Sequence, residues 1–358
     1  MHTALTEEDA TVQPLETNKI SVIKRIGQTK KLLIILVPVA AFILSFTMGR
    51  YSITLSQLVN TIYVHFAGDA AARASNLDTV VFNIRLPRIF AAMLVGAALS
   101  CAGAAYQGMF KNPLVSPDIL GASAGAGFGA CLAIFFSSSV YVIQASAFTF
   151  GLIAVLLACL INAKMDYEPI LGLVLGGILI STLFSSGTAA IKYLADANEK
   201  LPEITFWLMG SLSSVDKRDA LSILVPMLIG FIMLFLVRWK LNVLAFGEEE
   251  ARSLGINTKR VRFIVIIGST LLSASAVSIC GMIGWIGLVI PHLARAVSGP
   301  DYRTLLTVTA VLGASYLLLV DDLARCLGSV EVPLGILTSL LGVPFFIIIF
   351  KNNIKGWK

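Results

Sequence analysis

The chain has 358 residues, of which 57% are hydrophobic and only 13% charged, with a formal net charge of +6. A water-soluble domain carries about 25% charged residues, so this composition excludes a soluble fold and leaves a protein whose surface meets lipid. The positive balance does not indicate nucleic acid, because the basic residues lie in short runs at the edges of apolar blocks, where topology signals belong.

Residues 1–30 begin acidic and polar, with Glu7, Glu8 and Asp9, and lack the pattern of a cleaved signal peptide. They are expected to form a loosely held cytoplasmic N-terminal tail. Apolar blocks then recur at about 32–49, 88–110, 118–137, 141–163, 169–191, 220–237, 263–279, 282–297, 304–320 and 333–350. Each approaches the roughly 20 residues that cross hydrocarbon at 1.5 Å per residue. The expectation is an all-α polytopic membrane protein, with one ten-helix transmembrane domain over 31–358 and both chain ends in the cytoplasm.

One division decides the count. Phe263 to Pro291 carries no charge and is too long for one ordinary span, while Gly281, Gly284 and Gly287 tolerate the backbone angles of a reversal. Two helices are therefore expected there. Ten spans put 18 of the 27 Lys and Arg residues on the cytoplasmic side, whereas nine would divide them 14 to 13. The excess of basic residues on cytoplasmic loops favours ten.

Gly121, Gly125 and Gly129 recur every four residues, the small-residue pattern that brings membrane helices close. The run Gly125 to Gly129 is no phosphate loop, since neither a preceding strand nor a following lysine accompanies it. The five cysteines (Cys101, Cys131, Cys159, Cys280, Cys326) show no metal-ligand or redox spacing and read as small buried hydrophobes.

Four polar stretches interrupt the apolar pattern. Asn83 to Arg88 places two arginines and Pro87 at a helix start on the outer side, where proline costs little and arginines either anchor to headgroups or receive carboxylates of a soluble partner. Lys111 to Asp118, on the inner side, holds Pro113 and Pro117 and so resists helix formation. It reads as a connecting turn or as a constriction at the inner end of a path, since non-helical backbone persists near a membrane only beside protein or a water-filled cavity.

The third stretch, within the inside loop 241–262, carries Gly247, Glu248, Glu249, Glu250, Ala251, Arg252, Ser253, Leu254 and Gly255. Three glutamates suit the positive end of a short helix and Gly255 a left-handed cap, with Thr258 capping a second short helix. Such a knob is either a solvated loop or a lever for a cytosolic motor. The fourth stretch, outside, is Asp321 to Arg325 with Glu331. Charges at a span's end must pair or face water, and with Arg85 and Arg88 they are expected to build a charged outer rim.

At these stretches the sequence resembles the FecCD-like permease subunits of type II ABC importers, which take up iron–siderophore complexes, haem or cobalamin. The likeness spans nearly all of the chain after residue 30. It rests on Arg85-Leu86-Pro87-Arg88, Gly96-Ala97-Ala98-Leu99, Gln107, Asn112-Pro113-Leu114, Trp207 to Ser211, and Leu254-Gly255. It continues through Gly284 to His292 with Arg295, Asp321, Arg325, Glu331 to Gly335, and Gly342 to Phe346. Trp285 departs from the phenylalanine common there, and the N-terminal tail is longer than in many members.

The resemblance implies the type II ABC importer permease fold with ten helices per subunit. It implies a second permease copy (a homodimer, or a sister permease), two cytoplasmic ATPase subunits, and a periplasmic or lipid-anchored substrate-binding protein, all at a bacterial or archaeal inner membrane. It implies that Arg85, Arg88 and Arg325 receive the binding protein. Asn112, Pro113 and Leu114 would belong to the cytoplasmic gate, and Gly247 to Arg252 with Leu254 and Gly255 would form the ATPase coupling loop.

No catalytic residue, metal site or cofactor is expected on this chain. It contains no Gly-Lys-Ser/Thr, so ATP and Mg belong to a partner ATPase. A secondary transporter would need ionisable residues in mid-span, and the blocks hold almost none. An intramembrane protease would need paired mid-membrane aspartates or a Ser/His pair, whereas Asp321 and Asp322 are adjacent at a span's end. An iron(III) chelate, siderophore or haem, is the expected cargo, with cobalamin or a molybdate-type oxyanion as alternatives.

Overall fold

The computed structural model describes residues 28–67, 76–136, 139–164, 169–328 and 330–354. All but the last three residues of the expected tail, and the extreme C-terminus, lie outside that set. Every regular element within it is helical. In chain order these are α1 (Gln28–Thr47), α2 (Leu55–Ala67), α3 (Asn76–Met109), a 3₁₀ turn (Pro117–Leu120), α4 (Ala122–Phe136), α5 (Val140–Ala163) and α6 (Pro169–Leu194). There follow α7 (Lys200–Met209), α8 (Lys217–Phe246), α9 (Glu248–Ser253), α10 (Thr258–Cys280), α11 (Ile286–Ser298), α12 (Tyr302–Cys326) and α13 (Leu334–Ile354).

Six helices, α3, α5, α6, α8, α10 and α12, are long and apolar enough to cross a membrane. Four shorter apolar helices, within α1, α4, α11 and α13, stand where the remaining apolar blocks were expected. The apolar windows of α3 and α10 are 78% buried, those of α5 and α6 33%, and that of α8 28%. So α3 and α10 form the centre, and much of the surface of α5, α6 and α8 is left uncovered by the rest of this chain. α3 packs along α12, α10 and α11, while α10 also meets α8 and α5.

Small residues set these contacts, as membrane helices require where lipid offers no hydrophobic drive to associate. A Cβ built on Gly103 of α3 would lie 1.9 Å from the Gly287 carbonyl oxygen of α11, and one on Gly96 would lie 2.2 Å from that of Gly313 on α12. Backbones therefore touch directly. Gly125 and Gly129 pack against Phe150 and Ser146 of α5, as the four-residue repeat predicts. Gly121 precedes the helix instead, closing the 3₁₀ turn and facing α6.

Several elements depart from the expected layout. α3 begins at Asn76, about a dozen residues before the apolar block, and Pro87 lies inside it. The turn over Thr79–Arg85 is π-helical, with Leu86 N–H donating to Val81 C=O. That wider turn absorbs the proline, which has no N–H to give and whose ring crowds the preceding turn. The amphipathic α2 and the short α7 lie between spans. α10 and α11 are separated by a five-residue break rather than a tight hairpin, and α11 packs on α3 and α12.

Candidate functional site: two polar ends and a central break

At the end of the bundle where α1 and α12 finish and α3 begins, three guanidiniums meet three carboxylates. Arg88 is bidentate to Asp321, through Nε (3.1 and 3.0 Å) and Nη2 (2.8 Å), and its Nη1 and Nη2 also donate to Glu331 at 3.1 and 2.9 Å. Arg325 pairs with Asp322, donates to Ser45 Oγ at 2.8 Å, and brings Nε within 3.3 Å of Asp321. Ser45 in turn donates to Asp322 at 2.6 Å. Arg85 donates to the backbone carbonyls of Phe46 and Tyr51, pinning the connection between α1 and α2.

The charges pair, as their cost at a span's end demands. Of the two expected outcomes, pairing or facing water, the rim shows pairing: Arg85, Arg88 and Arg325 are only 4–6% exposed and Asp321 is fully buried. Desolvated arginines engaged by internal carboxylates and carbonyls have few donors left for an outside partner. Their geometric effect is to fasten α1, α3, α12 and the segment before α13 into one clasp.

The opposite end carries α9. Gly255, at φ +75°, follows its last turn; Gly255 N–H donates to Arg252 C=O (2.9 Å) and Ile256 N–H to Ala251 C=O (3.0 Å). These are the paired bonds of a Schellman cap, which needs a left-handed residue there. The expected second short helix is corrected. Asn257, whose side chain accepts from Arg260 N–H at 3.0 Å, caps α10 itself, and Thr258 is α10's first residue.

Of the three glutamates, Glu249 and Glu250 are exposed and Glu248 turns inward. Glu248 accepts from Arg252 Nη2 (2.9 Å), Thr258 Oγ1 (3.0 Å) and Arg262 Nη2 (2.7 Å). Partial burial alone would raise its carboxyl, but the bonds from Arg262 and Thr258 outweigh it and hold the group below the usual carboxylate range. Leu254 is 68% exposed at the tip, whereas Ala251 is fully buried.

At the same end, Asn112, Pro113 and Leu114 are exposed in the turn after α3. Asn112 Oδ1 accepts from Leu114 N–H at 2.9 Å, closing an Asx turn, and Gln107 Nε2 donates to Val115 C=O at 3.3 Å. A cleft of about 550 Å³ opens here, lined by Gln107, Lys111, Asn112, His292, Arg295 and Asp301 among others. Lys111 also lines a second, more polar cleft of about 410 Å³ with Glu248, Glu249, Glu250 and Arg262. It holds φ +52°, uncommon for a residue other than glycine.

A few residues from the clasp, where Leu334 follows Glu331 by three positions, three interruptions of helix meet. Ser211 N–H donates to Cys280 C=O and Leu334 N–H to Gly210 C=O, both at 2.8 Å. These bonds tie the end of α7, the break after α10 and the start of α13. Gly281 (φ +69°) turns the chain, and Trp285 adopts φ +70°, a genuine outlier for a bulky residue. The junction borders an open, largely apolar groove of about 440 Å³ lined by Leu208, Met209, Met282, Gly284, Ile336 and Leu340 among others. Irregular backbone at membrane depth is tolerated where it is covered by protein or lines a cavity.

Sequence profiles decide what this assembly is. That of the FecCD transport family matches residues 34–352. The chain belongs to the FecCD transport family. This FecCD permease is 40% identical over 319 residues to the molybdate import system permease protein of Haemophilus influenzae, covering 88% of this chain and 93% of the relative. It is 41% identical over 280 residues to a probable iron chelatin transport system permease of Helicobacter pylori, covering 78% and 85%. A solved inward-facing structure of a metal-chelate type ABC transporter superposes with a TM-score of 0.81 at 40% identity, covering 90% of this FecCD permease and 99% of that chain.

Sequence reasoning missed α2 and α7. The first left a signal: Leu55, Leu58, Val59, Ile62 and Phe66 follow helical spacing. Thr54 and Gln57 exchange a capping box, with Gln57 Oε1 accepting from Thr54 N–H (2.9 Å) and Thr54 Oγ1 from Gln57 N–H (3.3 Å). The special role of Glu248 left none, since three like residues stand in a row.

Proposed function

We propose that this ABC importer permease works as one of two permease copies above two ATPase subunits, and carries an iron(III) chelate, siderophore or haem. The α9 end would then face the cytoplasm together with both chain termini. A binding protein would dock at the Arg88–Asp321 end, on the rim that the buried Arg85, Arg88 and Arg325 hold in place. Asn112, Pro113 and Leu114 would close the cytoplasmic gate. Leu254, with exposed Glu249, Glu250 and Arg252 around it, offers the ATPase an apolar tip inside a charged ring.

The observation that carries the cargo reading is the open groove beside the junction of α7, α10 and α13. Leucine, isoleucine, methionine and glycine line it together with the hydroxyl-bearing Ser339, and no charged side chain is among them. Such a wall grips no bare ion, and suits a bulky chelate that is passed along without being held. The likeness to a molybdate permease favours a second reading, an oxyanion as cargo. Uptake into vesicles holding the whole transporter, compared for an iron(III)–hydroxamate chelate, hemin and molybdate, separates them. ATP-dependent accumulation of molybdate alone would overturn the chelate reading, and introduced-cysteine labelling that finds Lys358 on the exterior would overturn the orientation.

A further inference from the structure

α9 is a helix of only six residues, too short to hold its shape or angle by its own hydrogen bonds. Something must make it stiff if a push on it is to reach the membrane. The Schellman cap fixes its end, and only Leu254 to Asn257 separate it from α10. Buried Ala251 and Ile256 seat it. Across the short turn, one carboxylate makes three bonds. Glu248 receives Arg252 from its own helix and both Thr258 and Arg262 from α10. The Arg262 side chain is only 9% exposed, so this pair is shielded where the outward Glu249 and Glu250 are not. α10 in turn lies along α3, whose end leads directly into Asn112, Pro113 and Leu114.

We propose that Glu248 is the positioning residue that locks α9 to α10 as a single rigid body, so that displacement of α9 passes through the Glu248–Arg262 pair to α10, α3 and the gate. Glu249 and Glu250 serve contact with the ATPase and take no part in transmission. The proposal rests on the importer reading given above, and assigns to one glutamate of three a task the other two cannot perform from their exposed positions.

The test uses the whole transporter, permease with its ATPase and binding protein, in lipid vesicles. A Leu114→Cys reporter in a Cys326→Ser background reads the gate through its rate of reaction with a maleimide, with and without ATP. In the parent, ATP changes that rate. With Glu248→Gln added, ATP hydrolysis continues but the ATP-dependent change shrinks by roughly tenfold, the effect on an equilibrium of losing one charge-assisted hydrogen bond. The exchange Glu248→Arg with Arg262→Glu restores it, which a merely structural loss would not allow. Should Glu248→Gln fail to reach the membrane, the exchange variant decides alone. A full ATP response in Glu248→Gln, or none in a folded exchange variant, overturns the proposal. A parent whose reporter ignores ATP overturns the importer reading itself, and the proposal with it.

Discussion

Asp321→Asn removes one charge from the buried clasp while keeping the side chain's shape, so no cavity complicates the outcome. Asp321 is fully buried and accepts three contacts of 2.8–3.1 Å from Arg88, besides the 3.3 Å approach of Arg325. The substitution leaves two guanidiniums short of an anion where water does not reach. Removing one partner of a buried pair costs about 3–5 kcal/mol. Glu331→Gln is the internal control. It also meets Arg88, at 2.9 Å, but its side chain is 26% exposed, so water replaces what is lost and about 1 kcal/mol is expected. A difference of about 2 kcal/mol or more separates the variants, some 30-fold in the unfolding equilibrium. Reversible unfolding of the purified permease in mixed detergent micelles measures both. Equal losses, or a loss below about 1 kcal/mol for Asp321→Asn, would refute the view that a dry ion cluster fastens this end.

Gly103→Ala should disrupt the contact of α3 with α11, because a methyl 1.9 Å from a carbonyl oxygen forces the helices apart. A loss of about 1–3 kcal/mol is expected, and Gly284→Ala, whose added methyl meets nothing within 4 Å, serves as the mild comparison in the same melt. Leu254→Ala should weaken assembly with the ATPase by about tenfold, the loss of roughly 1.4 kcal/mol of apolar contact, read by co-purification at graded ATPase concentration. The Glu248 clamp has a defined acid sensitivity. Its folded carboxyl titrates below the ordinary glutamate value, so its contribution is fully present above that value and is lost as pH falls through the depressed one. The gate's ATP response should therefore be flat from neutral pH down to about 5, and fall only below the usual glutamate pKa of about 4.3.

Each of the ten apolar blocks coincides with a helix, six of them long enough to cross a membrane, because hydrocarbon length is a hard constraint and the composition leaves no other way to hide so much apolar surface. Beyond the missed α2 and α7, the misreadings fall where charge is buried. Arg85 and Arg88 placed the start of α3 too late, since hydropathy counts an arginine as exposed whatever carboxylate waits for it across 233 residues of chain. The pairing partners were legible as a group, but burial was not, for it depends on which helix ends meet. Likewise Glu248, Glu249 and Glu250 are equivalent in the sequence, and only the angle at which α9 meets α10 turns one of them inward. The junction of Gly210, Cys280 and Leu334 rests on backbone hydrogen bonds, to which side-chain patterns are blind.

Lys111 stands between two clefts with its backbone in a left-handed conformation. Beyond it Pro113 and Pro117 forbid α3 from winding onward, having neither the N–H nor the room a further turn needs. The segment after α3 therefore cannot extend that helix toward the 3₁₀ turn at Pro117. A strip that cannot coil gives α3 a fixed stop, and Lys111 is the residue at which the helix is made to end.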